Sequence, residues 1–525
     1  MLLCCLLCWL YLRVSRTTGV NSDAAGQVLQ GWDMLHGNPL LRGWYLSDVS
    51  FYTFEIPLDG LVALVHGLRP DTAHVTAAIV YTLLVVSAAL LARGRAAGRE
   101  GAVRALLAAG VLLAPSLTPG TQVLLLAPDH TGAGVPVLLT LLVMERAPRR
   151  WWMPVVVCLM LTWAQVDDPV ATLGCALPLA LVCAAKEGWA VLVRQRRPGL
   201  DAALAVAAVV SYGLTRLVLA AIHAAGGFYV HGLTGGTGLA PAAAIPRQLV
   251  WTGQNLLYLF GASYWDLPPL QAAFGYLHLI GVAVALGGLA LGARALFSRL
   301  GSGDRVTQTL TAGLLITLVA GAFGTHMAPV SGAHEIALVL PFGALLGGRL
   351  VGPWLVRARS AGGRRAWLGP AAVAPVLALA GAGYLGALGY NASGPAQPSP
   401  AQSLAGWLAG HGLTSGLGGY WQANATTLAS GGRVRVAALG HDGADAYLWE
   451  SSAPWYDPRV SSADFAVTVG YPPAQASYAR PAVIRAVFGR PARTYHFGQY
   501  TIMVYDYDLL LRVRQPVAGI GDRGR

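Results

Sequence analysis

The sequence predicts a polytopic α-helical membrane protein with about eleven transmembrane helices and a small C-terminal α/β domain outside the cytoplasm. Three observations predict it. Of 525 residues, 55% are hydrophobic and 11% charged, and the mean hydropathy is +0.53; a soluble domain carries about a quarter charged residues. The apolar residues gather into eleven segments, near 1–12, 72–92, 103–127, 131–145, 151–166, 170–186, 200–222, 270–293, 307–323, 332–350 and 367–389. After Tyr390 the composition shifts to a linker, 391–401, and then to a mixed polar stretch, 402–513.

Several segments are shorter than the roughly 20 residues that cross hydrocarbon. Short or bent helices beside a water-filled cavity accommodate that. The first, MLLCCLLCWLYL, is the shortest. It lacks a clear small-x-small cleavage site, so it reads as a first helix, with room for residues upstream of this start.

Arginines set the orientation. They cluster in alternate loops at Arg93–Arg104, Arg146–Arg150, Arg194–Arg197, Arg294–Arg305 and Arg357–Arg365, with Lys186 beside the third cluster. Those loops are expected inside. The N-terminus is then cytoplasmic and the C-terminal domain extracytoplasmic. The net charge of +12 is mostly this topology signal and gives no argument for nucleic acid. One lysine against 35 arginines, with abundant Ala and Gly, suggests a GC-rich bacterial genome. All six cysteines lie in apolar segments, without disulfide or zinc spacing.

The span 1–390 forms the membrane domain, with two long outer loops. The first, 13–71, holds Asp23, Asp33, Asp48, Glu55, Asp59 and Asp71, a quarter of the chain's acids. DAAGQVLQGWDMLHGN and IPLDGLVALVHGL have helical apolar spacing and read as surface helices. The second, 223–269, opens with HGLTGGTGLAP, a mobile flap or a plain connection, and continues as the amphipathic IPRQLVWTGQNLLYLFGASYW. In 402–513, SLAGWLAGHGL and ARPAVIRAVFG read as helices. GRVRVAAL, DFAVTV and a hairpin around Phe497-Gly498 read as strands. The tail, 514–525, reads as disordered.

The expected outer turns carry carboxylates and imidazoles: Asp129 and His130, Asp167 and Asp168, Asp266, His326, and His334 with Glu335. Acids at a membrane face are costly unless solvated or used. A carboxylate can deprotonate an acceptor hydroxyl. A His or Arg can neutralise a phosphate leaving group. Carboxylate and His together can hold a divalent cation. Such a rim suits group transfer from a lipid phosphate, or a cation path in a transporter. Acids at helix ends rather than mid-helix favour surface chemistry. A flippase-like transporter and a non-catalytic scaffold remain the competing classes.

The layout resembles the GT-C superfamily of polyprenyl-phosphate-sugar glycosyltransferases, notably the protein O-mannosyltransferase and aminoarabinose transferase branch. Asp23 in NSDAAGQVLQGWDMLHGNPL resembles the family's first-loop acid. Glu55 in FEIPLDGLVALVHG resembles its acid-x-Pro-Pro-Leu entry to the next surface helix. Asp129 in APDHTG falls where that branch has another acid, and HEIALVLPFGALLGG resembles its late Arg-Tyr-Leu-x-Pro helix. There are departures: only Pro57 stands where two prolines are usual, His334 stands where Arg is usual, and the first helix is short.

The resemblance implies that Asp23 activates the acceptor hydroxyl or amine, and that Glu55 orients it or helps hold a cation. Asp129 and His130 would line the sugar pocket; Asp167 and Asp168, two adjacent acids at another outer turn, are candidate substrate contacts from the rim of acids itself. Arg247 and His334 would meet the lipid phosphate. It implies inversion at the anomeric carbon, a polyprenyl-phosphate-linked sugar as donor, and a cell-envelope glycan, lipid or protein as acceptor. No nucleotide is implied, and no Gly-rich phosphate loop follows a strand.

Each residue also has a plainer reading. Asp23 suits a helix N-cap, Asp129 and His130 suit a helix cap, and Asp167-Asp168-Pro169 suits a cap and turn. Glu55 suits a solvated loop, as do Asp33, Asp48, Asp59 and Asp71. A lone histidine at a helix end, such as His334, is usually structural. The aromatics Tyr420, Trp421, Trp449, Trp455, Tyr456, Tyr495 and Tyr500 suit a domain core or a sugar-stacking face. The sequons at Asn391 and Asn424 read as incidental.

Overall fold

A computed structural model describes the chain except Met1, Asp266, His326 and residues 118–119, 148–149, 195–198, 231–237, 302, 361–369, 442, 444, 471–477 and 515–525. The expected Gly-rich flap and the tail therefore lie largely outside the described residues. The chain divides into two compact units. One comprises Met1–Thr17, Ala77–Val218 and Gly236–Pro395; the other comprises Thr18–Thr76, Leu219–Gly235 and Ala396–Arg525. The first loop and the C-terminal segment thus fold together.

The first unit is helical. Among the described residues, six helices are long and apolar enough to cross a membrane: Asp71–Arg93, Thr172–Val193, Leu200–Ala224, Pro269–Ser298, Arg305–Phe323 and Val339–Arg357. Two shorter apolar helices, Leu2–Ser15 and Met153–Asp167, accompany them. The apolar segment 103–127 is not one helix. Gly98–Leu112 ends before Pro115, and Gly120–Leu125 follows, because proline supplies no N–H and its ring clashes with a preceding carbonyl.

Breaking a helix frees carbonyls that apolar surroundings cannot satisfy. Here four successive ones are taken by side chains from other helices. Leu112 O accepts from Tyr81 Oη (2.8 Å), Leu113 O from Tyr11 Oη (3.1 Å), Ala114 O from His278 Nε2 (2.9 Å) and Pro115 O from Asn391 Nδ2 (2.9 Å). Asn391 is thus a structural donor. Elsewhere in this unit the buried Arg349 donates to Glu145 Oε2 (2.9 Å), Asp304 Oδ2 (2.8 Å), Leu91 O (2.7 Å) and Thr307 Oγ1 (3.0 Å). A buried guanidinium persists only when its donors are matched in this way.

The second unit is α/β. Its sheet has strands β1 (Ser415–Gly419), β2 (Arg435–Leu439), β3 (Phe465–Val469), β4 (Arg493–Phe497) and β5 (Tyr500–Val504). Their order is β2-β1-β3-β5-β4. β1 runs parallel to β2 and β3, β5 is antiparallel to β3, and β4 and β5 form the expected hairpin. The first-loop helices, Ser22–Leu35 and Glu55–His66, belong to this unit. They cross where Gly31 meets Gly60: a Cβ on Gly31 would lie 2.5 Å from Gly60 N and from Ile56 O. Trp44 and Tyr45 pair antiparallel with Ser452 and Ser451, which stitches the loop to the C-terminal segment.

Two first-loop acids differ from expectation. Asp59 is buried rather than solvent-facing. Asp33 accepts from Trp44 Nε1 and Asn38 Nδ2, each at 2.7 Å, so it braces the loop.

Removing one donor at the broken helix tests the carbonyl account. Tyr81→Phe is expected to cost about 1–3 kcal/mol, since the Leu112 carbonyl stays buried without its partner. Thermal unfolding in detergent checks it, and an unchanged midpoint would contradict it.

Candidate active site

Asp23 lies in the first turn of Ser22–Leu35. It is not the cap. Asn21 is, its side chain accepting from Ala24 N at 3.0 Å. The Asp23 carboxylate, half-buried, is held on both oxygens: Tyr420 Oη donates to Oδ1, and Asn21 Nδ2 donates to Oδ2 at 3.2 Å. Tyr420 begins the helix Tyr420–Ala429, directly after β1.

A second carboxylate shares the tyrosine. Glu450 Oε2 lies 3.3 Å from Tyr420 Oη. Glu450 is 3% exposed and its φ is +46°, a left-handed backbone that costs a non-glycine residue about 1–3 kcal/mol. Asn424 Nδ2 donates to Glu450 O at 2.9 Å and fixes that turn. The helix Ser22–Leu35 makes room at Gly26, one turn after Asp23 and on the same face. A Cβ there would collide with Glu450 Oε2 and stand 3.1 Å from Asn424 Nδ2.

Burial, then the Asp23 and Glu450 carboxylates, hold the Tyr420 hydroxyl well above the usual tyrosine range. It therefore stays a donor at any working pH. Burial also raises Tyr447, followed by its hydrogen bond with Tyr478 and by Asp23 and Glu450. Three phenols and two carboxylates thus act on one another. Glu55, the other expected catalytic acid, opens Glu55–His66 and is fully buried in the same unit.

The remaining expected residues belong to the helical unit. His130 Nδ1 and Asp168 Oδ2 are 2.7 Å apart, and both residues are buried. Asp168 Oδ1 also accepts from Val170 N at 2.8 Å, so the residue caps its turn as well as pairing. Asp129 adjoins His130 and is half-buried. Asp167 ends Met153–Asp167 and is buried.

Arg247 is exposed in the first turn of Ile245–Leu259, its guanidinium 4.7 Å from the Trp251 ring centre. His334 lies half-buried in the short helix Gly332–Glu335. Asn255 ties Ile245–Leu259 to the turn just before that short helix. Its Nδ2 donates to Ala328 O at 2.8 Å, and its Oδ1 accepts from Val330 N at 3.1 Å. Asp266 and His326 lie outside the described residues. Among the described residues, no three His, Cys, Asp or Glu side chains gather as a metal shell.

No sequence-family model and no curated protein matches the chain. Solved structures do match. The crystal structure of ArnT from Cupriavidus metallidurans in the apo state aligns over 95% of this chain and 96% of its own, with a TM-score of 0.54 at 15% identity. The Archaeoglobus fulgidus oligosaccharyltransferase in complex with Zn and sulfate aligns over 96% of this chain and 73% of its own, with a TM-score of 0.50 at 13% identity. The chain has the GT-C fold of these structures.

Within this GT-C fold the sequence reading missed Glu450 and Asn424 as partners of the first loop, and Asn255 as a brace. Tyr420 had a signal, as one of the seven aromatics singled out in the C-terminal segment. Of the rest, Tyr456 and Tyr500 are core residues, and Trp455 packs on Trp44. Asn424, read as an incidental sequon, is buried and bonded.

Asp168 separates capping from pairing. Asp168→Asn keeps an oxygen for Val170 N and is expected to lose less than about 1 kcal/mol. Asp168→Ala orphans both partners and is expected to lose about 1–3 kcal/mol. Unfolding midpoints check the ranking; equal midpoints would contradict it.

Proposed function

We propose that this protein is an integral membrane glycosyltransferase that moves a sugar from a polyprenyl-phosphate donor to an extracytoplasmic acceptor. The single observation that carries it is the Asp23 carboxylate, held by Tyr420 and Asn21 at the start of a first-loop helix, in a chain with the GT-C fold. The proposal includes about eleven crossings, a cytoplasmic N-terminus and an outer C-terminal domain, as the arginine pattern indicates.

Asp23 accepts the acceptor's proton as the acceptor oxygen attacks the anomeric carbon. The bond from that carbon to the phosphate oxygen breaks, and its electron pair leaves on the lipid phosphate. Such a leaving group needs charge compensation more than a proton. Arg247 and His334 supply it in this reading. Asp129, His130, Asp167 and Asp168 bound the sugar, and Glu55 supports Asp23.

The test follows lipid phosphate. Purified protein is incubated with polyprenyl-phosphate sugars and an envelope extract as acceptor, wild type against Asp23→Asn. Loss of the base is expected to slow release about 10²–10⁴-fold. Equal release from both proteins would remove Asp23 as the base.

A further inference from the structure

The Asp23 site has a second flank, built by the edge of the sheet. Tyr420 leaves the carboxyl end of β1, and His441 follows the carboxyl end of β2. The chain winds from β1 to β2 on one side, then returns to β3 on the other side of β1. In open α/β sheets, ligands bind outside the carboxyl ends of the strands where the winding reverses.

The aromatic rings gather at that edge. Tyr478 stands over it, for a Cβ on Gly419, the last residue of β1, would lie 3.1 Å from Tyr478 Cβ. Tyr478 stacks on His441 with ring centres 4.3 Å apart and packs edge-on to Tyr447 at 5.3 Å. Tyr447 in turn packs on Tyr420 at 5.3 Å. Tyr447 and Tyr478 are half-buried and His441 is exposed. The rings therefore continue outward from the buried Tyr420 to solvent.

The chemistry of this edge selects its ligand. Asp23 and Glu450 repel a phosphate or any other anion. The same carboxylates and phenols accept from, and donate to, hydroxyl groups. Aromatic faces pack against a body that is apolar on its faces and polar at its rim. A pyranose has that form.

We propose that this sheet edge is the acceptor subsite, and that its ligand is a neutral polyhydroxylated glycan. Tyr447 and Tyr478 stack on the sugar ring, and one of its hydroxyls meets Asp23. The proposal rests on Asp23 being the base. The hydroxyl proton passes to Asp23 as the new C–O bond forms, and the lipid phosphate carries away the electron pair of the bond that breaks. The lipid-phosphate end of the donor has no place at this edge.

Saturation-transfer NMR on the full chain in nanodiscs, without donor, tests it. The probes are methyl α-mannopyranoside and methyl β-glucopyranoside, with an N-acetylated, amidated serine tripeptide as the other acceptor class. Saturation of the sugar ring C–H protons is expected. Tyr447→Ala and Tyr478→Ala are each expected to weaken binding about tenfold. Tyr447→Phe keeps the ring and loses less; Tyr495→Ala, on β4, binds as wild type. No sugar saturation, saturation of the peptide alone, or equal binding by wild type and both alanine variants would overturn the subsite. Folding of each variant is checked by its unfolding midpoint. Sugar binding at this edge with undiminished lipid-phosphate release by Asp23→Asn would keep the subsite and reject the base. Release lost in Asp23→Asn without sugar binding would do the reverse.

Discussion

One hydroxyl proton serves two carboxylates. Tyr420 lies within hydrogen-bond reach of both Asp23 and Glu450, yet it has one proton to give. Two acids this close repel. Glu450 is held beside Asp23 by its backbone: it sits in a strained turn whose carbonyl accepts from Asn424, and its carboxylate fills the space left by the glycine one helical turn after Asp23. Strain of this kind survives only where the surroundings over-determine it. Here the short ladder between Trp44-Tyr45 and Ser451-Ser452 fixes the residues next to Glu450. The first loop and the C-terminal segment are thus committed to one another by backbone pairing, by side-chain bonds and by the shared proton.

The helical unit answers a different constraint. Backbone polar groups within an apolar slab need partners from the protein itself. The Leu112–Pro115 stretch meets this with four donors from helices distant in sequence. Arg349 meets the converse need, a buried donor set matched by carboxylates, a carbonyl and a hydroxyl. The first device lets a helix end inside the long apolar segment 103–127, and the second keeps a charged donor set buried in the helical unit.

What the sequence disclosed follows the range of each force. Local forces were legible. The first-loop helices lie within a few residues of their apolar periodicity, and the C-terminal hairpin turns at Phe497-Gly498 as read. β1 was not legible, because SGLGG has no β-branched residue. Its glycines serve packing instead: a Cβ on Gly416 would meet the Phe465 ring at 2.5 Å. Asp59 and Asp33 were misjudged because burial and a tryptophan donor are tertiary facts. Asn21 rather than Asp23 caps the helix, a choice between polar residues two positions apart that only backbone angles decide. The bond from Tyr420 to Asp23 spans 397 residues, beyond any periodicity. Residue chemistry and topology mark the first loop as a whole, and the family resemblance selects Asp23 and Glu55 from its six acids.

The central claim is that Asp23 and Tyr420 act as one device. The measurement closest to it is a double-mutant cycle on donor turnover, with Asp23→Asn, Tyr420→Phe and the pair. Residues that act as a unit are strongly non-additive. The account predicts that the double variant is no slower than Asp23→Asn alone, because the tyrosine has nothing left to position. Losses that multiply across the two sites would contradict it.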